Sequence, residues 1–530
     1  MISNITIQNM RLFESHHEFK LGRLTVFCGT NSSGKSTILK TILLLRQSQG
    51  IGEGDAITNG KIRFNGSQID LGDYSTLVSH NNHDRNINIA ITITDKLPLD
   101  VFKRILPALD IEFAQEDINE FLEYEISASL SFSRIKIARE ALFRNHGEYS
   151  FESRGDIIDG LLEEATFYFT IKNITKPLMG VVFDASTDNN EYLYRMILPR
   201  KLFDLVGGSE IILPKSEMSQ HVTLQLALRG LLPDKIIAQR TSSGDDVKDV
   251  TEKPWAVFAL PYDIDEMVQD LHKALASVDY LGPLRSPAKR FYMVPSAFSG
   301  MDSSGDFLPY ILRDQGQFMV VNIRPGDTKE VRETLSDALN TWLYYLRTGQ
   351  IYVEGKVDHE ISVTSTRNVL VEFKVRSPQG SEAHALADSG FGYSQALPII
   401  VRGLLMAPGS TLIVEQPELH LNPALQVRIA EFFVAMSRAG KQVLIETHSE
   451  HIVNMIRVLA AEDSSSEIAT MTKIFFIDSQ DQRPIVHELS IGEDGSVSEW
   501  PESFFGEALS LTGRLLRAQK HHLKRTLMRS

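Results

Sequence analysis

The stretch 29-GTNSSGKST-37, from Gly29 to Thr37, decides the fold class because it matches the pattern G-x-x-x-x-G-K-[ST]. An apolar segment (23–29) precedes it, and a segment with apolar residues at helical spacing follows it. This order of strand, glycine-rich loop and helix is typical of a loop that binds phosphate groups. The alternative is a glycine-rich turn without a ligand, and the flanking strand and helix argue against it.

Each residue type in this loop has a chemical reason to be there. Glycines let the backbone wrap a phosphate and aim its N–H groups inward, at a helix N-terminus whose dipole favours anions. Lys35 would neutralise the β- and γ-phosphates of a triphosphate, and the hydroxyl of Ser36 would bind Mg²⁺. The predicted nucleotide-binding residues are Gly29, Asn31, Ser33, Gly34, Lys35, Ser36 and Thr37.

Helices alternate with short apolar strands in the last third of the chain, which predicts a mostly parallel sheet covered on both faces. The expected strands are 411–415, 443–446 and 473–478, and the expected helices are 388–405, 423–438 and 450–461. The middle of the chain mixes alternating segments such as YEISASLSFS (124–133) with helical ones. We therefore expect the first part and the last third to form one nucleotide-binding unit.

Two of the expected strands end in polar side chains. Glu415 ends strand 411–415, and we predict that it binds Mg²⁺ beside the phosphate loop. The alternative is a buried strand that runs into an ordinary turn. His448 follows strand 443–446, and its neutral imidazole can hydrogen-bond a γ-phosphate or an attacking water. Taken alone, a histidine at a strand end is more often structural.

Four motifs in this order, GTNSSGKST, LADSGFGYSQALPI, TLIVEQPELHLNP and ETHSEH, resemble the ATPase head shared by ABC transporters, SMC proteins and OLD-type nucleases. The resemblance implies an α/β fold, in which a P-loop ATPase head of ABC/SMC type has a mostly parallel sheet, an antiparallel β lobe and an inserted mixed α+β middle region. It also implies ATP and Mg²⁺ as cofactors and a head-to-head homodimer, or a higher assembly, that encloses two nucleotides.

By the same resemblance, a signature in each subunit closes on the ATP held by the other. The residues implied are Ser389, Gly390, Gly392, Ser394 and Gln395. The alternative is a simple helix N-cap around Asp388 and Ser389. The predicted organisation is an N-terminal part of the head (1–96), an inserted region (97–277), a C-terminal part of the head (278–500) and a basic helical tail (501–530).

Gln416 departs from the transporters in this family, which carry a catalytic glutamate at that place. An amide can orient water but cannot accept its proton. Three explanations stay open: Glu418 or His448 acts as the base, the enzyme is a slow switch, or position 416 carries an inactivating substitution. OLD-like members show a similar EQPELHLHP string, which favours a natural slow switch.

A narrower resemblance involves LLLRQS, NGSQIDLGDY, YLGPLRSP and DGSVSEWPESFF. These segments are similar to bacterial antiphage-defence ATPases of the PtuA family, from Septu and retron-associated Septu systems. The resemblance implies a PtuB-like HNH nuclease as partner and, in the retron case, a reverse transcriptase with its msDNA. Gln47 or Asp70 would then assist at the metal as a Q-loop residue, or be a helix-surface glutamine and a turn aspartate. Arg285 and Arg290 suit a phosphate, or form ordinary salt bridges.

Composition limits the remaining possibilities. Acidic residues outnumber basic ones by 68 to 54, giving a net charge of −14, so nucleic acid would bind only at local basic patches. One such patch is the tail from Arg514 to Arg529, and a solvated terminal helix is its alternative. Cys28 is the only cysteine, which excludes an intramolecular disulfide. With no signal peptide and no long apolar run, we expect a cytoplasmic protein without membrane contact.

Four functions compete at this stage. The first is an ABC/SMC-like ATPase that dimerises around ATP and regulates a separate nuclease in antiphage defence. The second is a non-hydrolysing, ATP-gated scaffold for nucleic acid and partner proteins. A stand-alone nuclease ranks lowest, because the stretch after ETHSEH is short for a Toprim domain and contains no paired D-x-D. An SMC-like DNA-repair ATPase is disfavoured because no long heptad stretch is present.

Overall fold

A computed structural model of the chain describes fifteen ranges of residues. They are 1–51, 60–82, 84–111, 121–145, 148–184, 193–205, 220–239, 255–293, 303–305, 308–351, 361–366, 370–376, 383–388, 391–480 and 483–498. The strands in this part of the chain are β1 (Ile2–Gln8), β2 (His17–Lys20), β3 (Leu24–Gly29), β4 (Ile87–Pro98), β5 (Phe121–Asn145), β6 (Glu148–Ile171), β7 (Ile174–Asp184), β8 (Leu193–Pro199), β9 (His221–Arg229), β10 (Leu232–Gln239), β11 (Trp255–Ala259), β12 (Val278–Leu281), β13 (Tyr292–Met293), β14 (Met319–Ile323), β15 (Glu330–Thr334), β16 (Ile361–Thr366), β17 (Leu370–Arg376), β18 (Ala383–Ala385), β19 (Thr411–Glu415), β20 (Gln442–Glu446), β21 (Thr472–Gln480) and β22 (Arg483–Leu489). The α-helices are α1 (Lys35–Ser48), α2 (Tyr74–Leu77), α3 (Leu99–Ala108), α4 (Arg200–Leu205), α5 (Tyr262–Ala276), α6 (Leu308–Gln315), α7 (Leu335–Thr348), α8 (Phe391–Leu405), α9 (Pro423–Arg438), α10 (Glu450–Glu462) and α11 (Glu467–Met471).

A six-stranded, mostly parallel sheet carries the phosphate loop. Its order is β12-β19-β20-β3-β21-β22, and all neighbours are parallel except β21 and β22. Strands β19 and β20 are buried along their whole length, as expected for central strands covered by helices on both faces. The predicted α/β head with a mostly parallel sheet is therefore confirmed.

The two faces of this sheet pack into two different apolar cores. Successive residues of β3 point to opposite faces, so Val26 and Phe27 belong to different cores. The core around Phe27 includes α1 and the antiparallel sheet, and Phe27 stacks on Phe475 with ring centroids 5.4 Å apart. The core around Val26 includes the apolar faces of α7, α8, α9 and α10.

A ten-stranded antiparallel sheet forms the second layer. Its order is β11-β10-β9-β8-β7-β6-β5-β4-β1-β2, so the strands of the middle region continue the sheet that the N-terminal strands begin. The antiparallel β lobe expected from the resemblance is present, and β5 to β11 enlarge it. Among the helices in the described part of the chain, none combines the length and the apolar character that crossing a bilayer requires.

Gln442, the first residue of β20, joins the two sheets. Its Nε2 donates to the carbonyl oxygens of Ile2 (2.7 Å) and Gly22 (3.0 Å), and its Oε1 accepts from the N–H of Ile2 (3.2 Å). The side chain is 1% exposed, so these hydrogen bonds are shielded from water. They fix strand β1 of the antiparallel sheet against the central strands of the parallel sheet.

Lys441, the preceding residue, is fully buried and holds the end of α8. Its Nζ donates to the carbonyl oxygens of Gly403 (2.7 Å), Leu404 (3.0 Å) and Val321 (2.9 Å). Two of these carbonyls belong to the last turn of α8, where a cation opposes the negative end of the helix dipole. Burial lowers the pKa of Lys441 to about 7.

Replacement of Lys441 by methionine should lower the free energy of unfolding by about 2 kcal/mol, because buried carbonyl groups lose their donor. Urea denaturation followed by circular dichroism measures the change. Lys103→Met, at an exposed position on α3, is the matched control and should leave the midpoint unchanged. Equal midpoints for the two variants would show that the buried ammonium adds nothing to stability.

Candidate functional site

Two glycines with positive φ shape the phosphate loop between β3 and α1. Gly29 has a φ of 130°, and a Cβ there would lie 2.0 Å from the carbonyl oxygen of Ile477 on β21. Gly34 has a φ of 105°, and a Cβ there would lie 2.9 Å from the ring of Phe13. Other residue types would strain the backbone and displace these neighbours, so both positions require glycine.

Hydrogen bonds hold the loop between these glycines. Thr30 donates through its N–H to Ile477 O (3.2 Å) and through Oγ1 to Asp478 Oδ1 (3.0 Å), and Ser33 Oγ donates to Thr30 O (2.9 Å). Helix α1 begins at Lys35, and among the described residues no side chain caps its N-terminus. No side chain therefore competes with an anion for the N–H groups of the first turn.

Lys35 lies inside the loop and is 3% exposed. Its Nζ donates to Thr30 O (2.6 Å) and Gly29 O (3.3 Å). Burial lowers the pKa of Lys35, and the negative charge of Glu446 opposes this shift. A bound phosphate could replace the two carbonyl oxygens as acceptor without moving the ammonium out of the loop.

A cavity of about 460 Å³ opens in front of the loop. The residues lining it are Arg11, Leu12, Asn31, Ser32, Ser33, Gly34, Lys35, Ser36, Thr37, Lys40, Gln416, Glu446 and His448. Three cationic side chains, from Arg11, Lys35 and Lys40, face a single carboxylate, from Glu446, among these lining residues. Burial lowers the pKa of Arg11. The excess of positive charge suits a polyanion such as a triphosphate.

The two central strands β19 and β20 end side by side, with Glu415 paired to Glu446 in register. Glu415 is 4% exposed, and its Oε1 accepts a hydrogen bond from the hydroxyl of Tyr280 on β12 (3.0 Å). Burial raises the pKa of Glu415 to about 7; Lys40 opposes the shift and Glu446 adds to it. Glu415 is not among the residues described as lining the cavity.

Glu446 is the acid that contacts the loop. Its Oε1 accepts a hydrogen bond from Ser36 Oγ (2.9 Å), and the residue is 4% exposed. Its Oε2 is buried and has no hydrogen-bond partner in the described part of the chain. The structure therefore brings Ser36 together with Glu446, whereas the sequence had paired Ser36 with Glu415.

Gln416 lines the cavity and sits on an unusual backbone. Its φ is 46°, and its N–H donates to Glu446 O (2.7 Å). Arg285, 5% exposed, donates through Nη2 to Glu415 O (2.9 Å) and Gln416 O (3.4 Å). Burial lowers the pKa of Arg285 to about 10. A buried guanidinium thus fixes the main chain at the candidate catalytic position.

Glu418 and His448, the two candidate bases, have different surroundings. Glu418 accepts from Thr447 Oγ1 (2.7 Å) and from the N–H of His448 (2.7 Å), so both of its carboxylate oxygens are engaged. It does not appear among the described lining residues, whereas His448 does. Burial lowers the pKa of His448, with a further contribution from Lys35, which favours the neutral imidazole. Glu418 therefore positions the loop that carries His448.

The candidate signature residues are only partly described. Ser389 and Gly390 lie outside the described residues. Ser394 and Gln395 are 6% and 1% exposed on α8, so they do not face outward toward a second copy in this arrangement. Gly392 packs against the loop after β19, since a Cβ there would lie 2.8 Å from His420 O. The signature expectation thus depends on Gly392 and on the two positions that are not described.

Gln47 and Asp70 are not at the phosphate loop. Gln47 is fully buried and its Nε2 donates to Arg63 O (2.6 Å), near the opposite end of α1 from Ser36. Asp70 is exposed and its Oδ1 accepts from the N–H of Gly72 (3.2 Å). Neither residue is among the described residues that line the cavity, so the structure does not bring Gln47 or Asp70 to the phosphate loop.

The remaining basic candidates are explained by local contacts or fall outside the described part. Arg290 forms an ion pair with Asp388 (2.9 Å), at the start of the candidate signature. Arg285 donates to the carbonyl oxygens of Glu415 and Gln416 at the end of β19. The basic tail, 501–530, lies outside the described residues.

Three charged residues of the cavity were not singled out from the sequence. Lys40 lies four positions after Ser36, a spacing that places both on one face of α1 and could have indicated it. Glu446 opens the ETHSEH motif, where the pattern drew attention to the histidine. Arg11 follows β1 with a φ of 50°, and its contact with the cavity depends on tertiary structure that no local pattern reports.

Family comparisons cover both halves of the site. A model described as "AAA domain, putative AbiEii toxin, Type IV TA system" matches residues 173–454. A model described as "AAA ATPase domain" matches residues 1–176, and "Protein of unknown function (DUF3696)" matches residues 469–515. No curated protein sequence matches the chain. The first two matches together contain the phosphate loop and both strand-end motifs.

Solved structures of SMC heads are similar over most of the chain at low identity. An SMC head bound to the C-winged helix domain of ScpA is 12% identical, with 93% of this chain and 98% of that chain covered and a TM-score of 0.34. The SMC head domain from Thermotoga maritima is 9% identical, with coverages of 92% and 98% and a TM-score of 0.33. An SMC head with an extended coiled coil bound to the C-terminal domain of ScpA, from Pyrococcus furiosus, is 10% identical, with coverages of 97% and 99% and a TM-score of 0.34.

Proposed function

The chain belongs to the AAA-domain family that matches residues 173–454, and from this premise we propose that it is an ABC/SMC-like ATPase. In this proposal the protein dimerises around ATP and hydrolyses it slowly. Its state then regulates a separate effector nuclease in antiphage defence. The observation that carries the nucleotide part is the cavity itself. It joins the phosphate loop, three cationic side chains and the end of β20 in one concave surface.

The donor groups at this cavity also fit Mg²⁺. A hard divalent cation takes oxygen ligands, and here the Ser36 hydroxyl lies beside a buried carboxylate with one unpartnered oxygen in the described part of the chain. Ser36 and a strand-end glutamate would hold the ion, with Glu415 as the candidate from the sequence. The ion would supply charge neutralisation at the β- and γ-phosphates.

Slow hydrolysis is proposed because the side chains that could accept a proton from the attacking water are poorly suited to do so. Gln416 has an amide that orients water without accepting its proton. Glu418 has both carboxylate oxygens engaged by Thr447 and His448, which leaves His448 as the candidate base in the cavity. Such a site suits a switch that changes state on binding ATP and resets slowly.

Dimerisation is proposed because the candidate signature lies at the start of α8, and no residue of α8 is among the described residues that line the cavity of the same copy. A second copy, approaching head to head, would present its own signature segment, including Gly392, to the open side of the cavity. ATP held between two copies would then change the interface, and that motion would release or restrain a partner. The partner proposed from the sequence resemblance is a PtuB-like HNH nuclease, with a reverse transcriptase and its msDNA if the system contains a retron.

The defence role has its own test. The description of the matching family names a toxin and a toxin–antitoxin system, which supports a role beside a second gene product. Reading frames next to the gene supply the decisive observation: an HNH nuclease or a reverse transcriptase supports the proposal, and copurification with the chain extends it. If no effector gene lies next to the gene, the proposed defence role is refuted, and the proposed ATPase activity is unaffected.

The nucleotide part is tested on the purified wild-type chain. Equilibrium binding of a fluorescent ATP analogue, phosphate release and sedimentation velocity with and without MgATP form one experiment. We expect binding, slow turnover and an ATP-dependent increase in sedimentation coefficient. The second candidate, a non-hydrolysing ATP-gated scaffold, is favoured by Gln416 and predicts ATP that stays bound without any phosphate release.

Gln416→Glu distinguishes these two candidates. Because a carboxylate at this lining position could accept the proton of the attacking water, phosphate release should rise at least tenfold. Gln416→Asn, which keeps the amide on a shorter side chain, is the control and should show no increase. A scaffold that lacks the remaining catalytic groups would release no phosphate in either variant.

A further inference from the structure

A second cavity, of about 390 Å³, lies outside the phosphate site. It is bounded by the turn between β14 and β15, by the helices α7, α9 and α10, and by the start of α11. None of its described lining residues also lines the phosphate cavity. Helices α9 and α10 follow the ends of β19 and β20, and their last residues, Arg438 and Glu462, line this second cavity. The cavity therefore extends to the ends of these helices that lie away from the phosphate loop.

One wall of this cavity is apolar and aromatic. Trp342 is 1% exposed, and its ring meets that of Tyr345 edge to face with centroids 6.1 Å apart. The Nε1 of Trp342 already donates to Asn322 Oδ1 (2.9 Å), so this ring has no further hydrogen bond to give. Met455 and Leu459 of α10 are partly exposed and line the same cavity. These side chains would contact the methylene groups of a ligand, and aromatic rings also attract cations.

Carboxylates outnumber cationic groups by four to two among the described lining residues. Both cationic groups are guanidinium groups that are already paired. Arg324 Nη2 lies 2.6 Å from Glu333 Oε2, outside the cavity lining. Arg438 lies 3.1 Å from Glu467 and 3.5 Å from Asp463, the first of the four carboxylates. The other three form no ion pair in the described part of the chain, and they are Asp327, Glu431 and Glu462.

Glu431 is the least exposed of these three carboxylates. It lies in the middle of α9, and its Oε2 accepts a hydrogen bond from the hydroxyl of Tyr345. Burial raises the pKa of Glu431, and the charge of Glu462 adds to this shift while that of Arg428 opposes it. Two carboxylates that share a partly buried cavity repel each other, and a cation between them removes the repulsion.

We propose that this cavity binds an aliphatic organic cation, whose methylene groups contact the apolar wall and whose ammonium groups pair with Glu431 and Glu462. A free polyamine and a lysine side chain of another protein share this chemistry. The volume lies within the range of small-molecule sites, about 300–1,000 Å³, which favours a free polyamine. A metal ion fits less well, since the described residues contain no group of three potential ligands placed to hold one.

The test is calorimetric titration of the full chain with spermidine at about 0.15 M ionic strength, where exposed charges are largely screened. Glu431→Gln keeps an oxygen that accepts from Tyr345, and Glu462→Gln changes an exposed side chain. We expect one spermidine per wild-type chain and at least fivefold weaker binding in each variant. Glu164→Gln, at an exposed position of β6 outside the cavity, is the control and should bind as the wild type does.

A cation supplied by the protein itself provides a second test that leaves both glutamates in place. Ser464 is an exposed residue of the cavity lining, so a longer side chain can be accommodated there. Ser464→Lys would place an ammonium group at the cavity and should weaken spermidine binding at least fivefold. Ser464→Gln, which adds length without charge, should keep most of the affinity.

The outcomes decide the proposal and the source of the cation. Equal spermidine affinity in the wild type, Glu431→Gln and Glu462→Gln overturns the inference, as does a wild type that binds no spermidine. A tetralysine peptide is titrated in parallel. If only the peptide binds, and the two glutamine variants weaken it, organic-cation recognition is supported and its source is a protein side chain.

ATP titration separates this inference from the proposed function. Because the two cavities share no described lining residue, Glu431→Gln and Glu462→Gln should bind ATP as the wild type does. A wild-type chain that binds spermidine but no ATP supports the inference and overturns the proposed nucleotide binding.

Discussion

Lys35→Met should weaken ATP binding at least a hundredfold, which corresponds to about 2.7 kcal/mol. The ammonium of Lys35 lies inside the loop, 2.6 Å from Thr30 O, at the point where β- and γ-phosphates would replace the loop carbonyls. Methionine has a similar length and no charge, so the side chain still packs inside the loop but the positive charge is lost. Titration with a fluorescent ATP analogue measures the effect.

Two controls accompany this variant. Lys103→Met removes an exposed lysine on α3 and should leave ATP affinity unchanged. Thermal unfolding of Lys35→Met should stay within a few degrees of the wild type, because only two hydrogen bonds to loop carbonyls are lost. Unaltered ATP affinity in Lys35→Met would refute the assignment of the phosphate loop.

Gly29→Ala should lower the free energy of unfolding by about 3–5 kcal/mol, and more if the sheet cannot relax. Two costs combine at this position. A φ of 130° is unfavourable for any residue with a Cβ, and that Cβ would lie 2.0 Å from Ile477 O. Because Gly29 pairs with Ile477 at the end of β3 and β21, relief of the clash would separate the two strands under the loop. Urea denaturation measures the change.

Gly409→Ala isolates the backbone part of this effect. Gly409 also has a positive φ, of 86°, but a Cβ there would meet nothing within 4 Å. The expected cost is about 1 kcal/mol, from conformational strain alone. Similar midpoints for Gly29→Ala and Gly409→Ala would show that β3 and β21 part readily at the loop.

The sequence predicted the central elements well where local pattern and burial agree. Strand β19 and helix α9 have the expected bounds, and β20, β21 and α10 differ from expectation by one or two residues. Strands β19 and β20 are short, apolar between their first and last residues, and bounded by polar turns. Burial on both faces leaves a clear signature in the sequence.

The choice of acid at the site could not be predicted in the same way. Both Glu415 and Glu446 end buried strands, and their local sequences look equivalent. Which one reaches Ser36 depends on β20 lying between β19 and β3, and this order results from long-range pairing. The order of the strands along the chain does not show whether β19 or β20 lies next to β3.

The middle region shows a second limit of local patterns. Alternation indicated a strand near 124–133, whereas β5 extends over 25 residues and its partner β6 over 24. A period of two reports which side chains face a core, and strand pairing itself continues where that period is lost. The extent of the hairpin is therefore set by β5 and β6 pairing with each other, up to Asn145 and Glu148.

The order of strands in the two sheets has a consequence for synthesis on the ribosome. The hydrogen bond between Thr30 and Asp478 joins residues 448 positions apart, and at about 5–20 residues per second the second partner follows the first by roughly 20–90 s. Strands β5 to β11 each pair with their immediate predecessor, so the β lobe can form on the nascent chain. The contacts between the phosphate loop and β21 would form last. A chain released before β21 is made would leave the apolar edge of β3 open to aggregation.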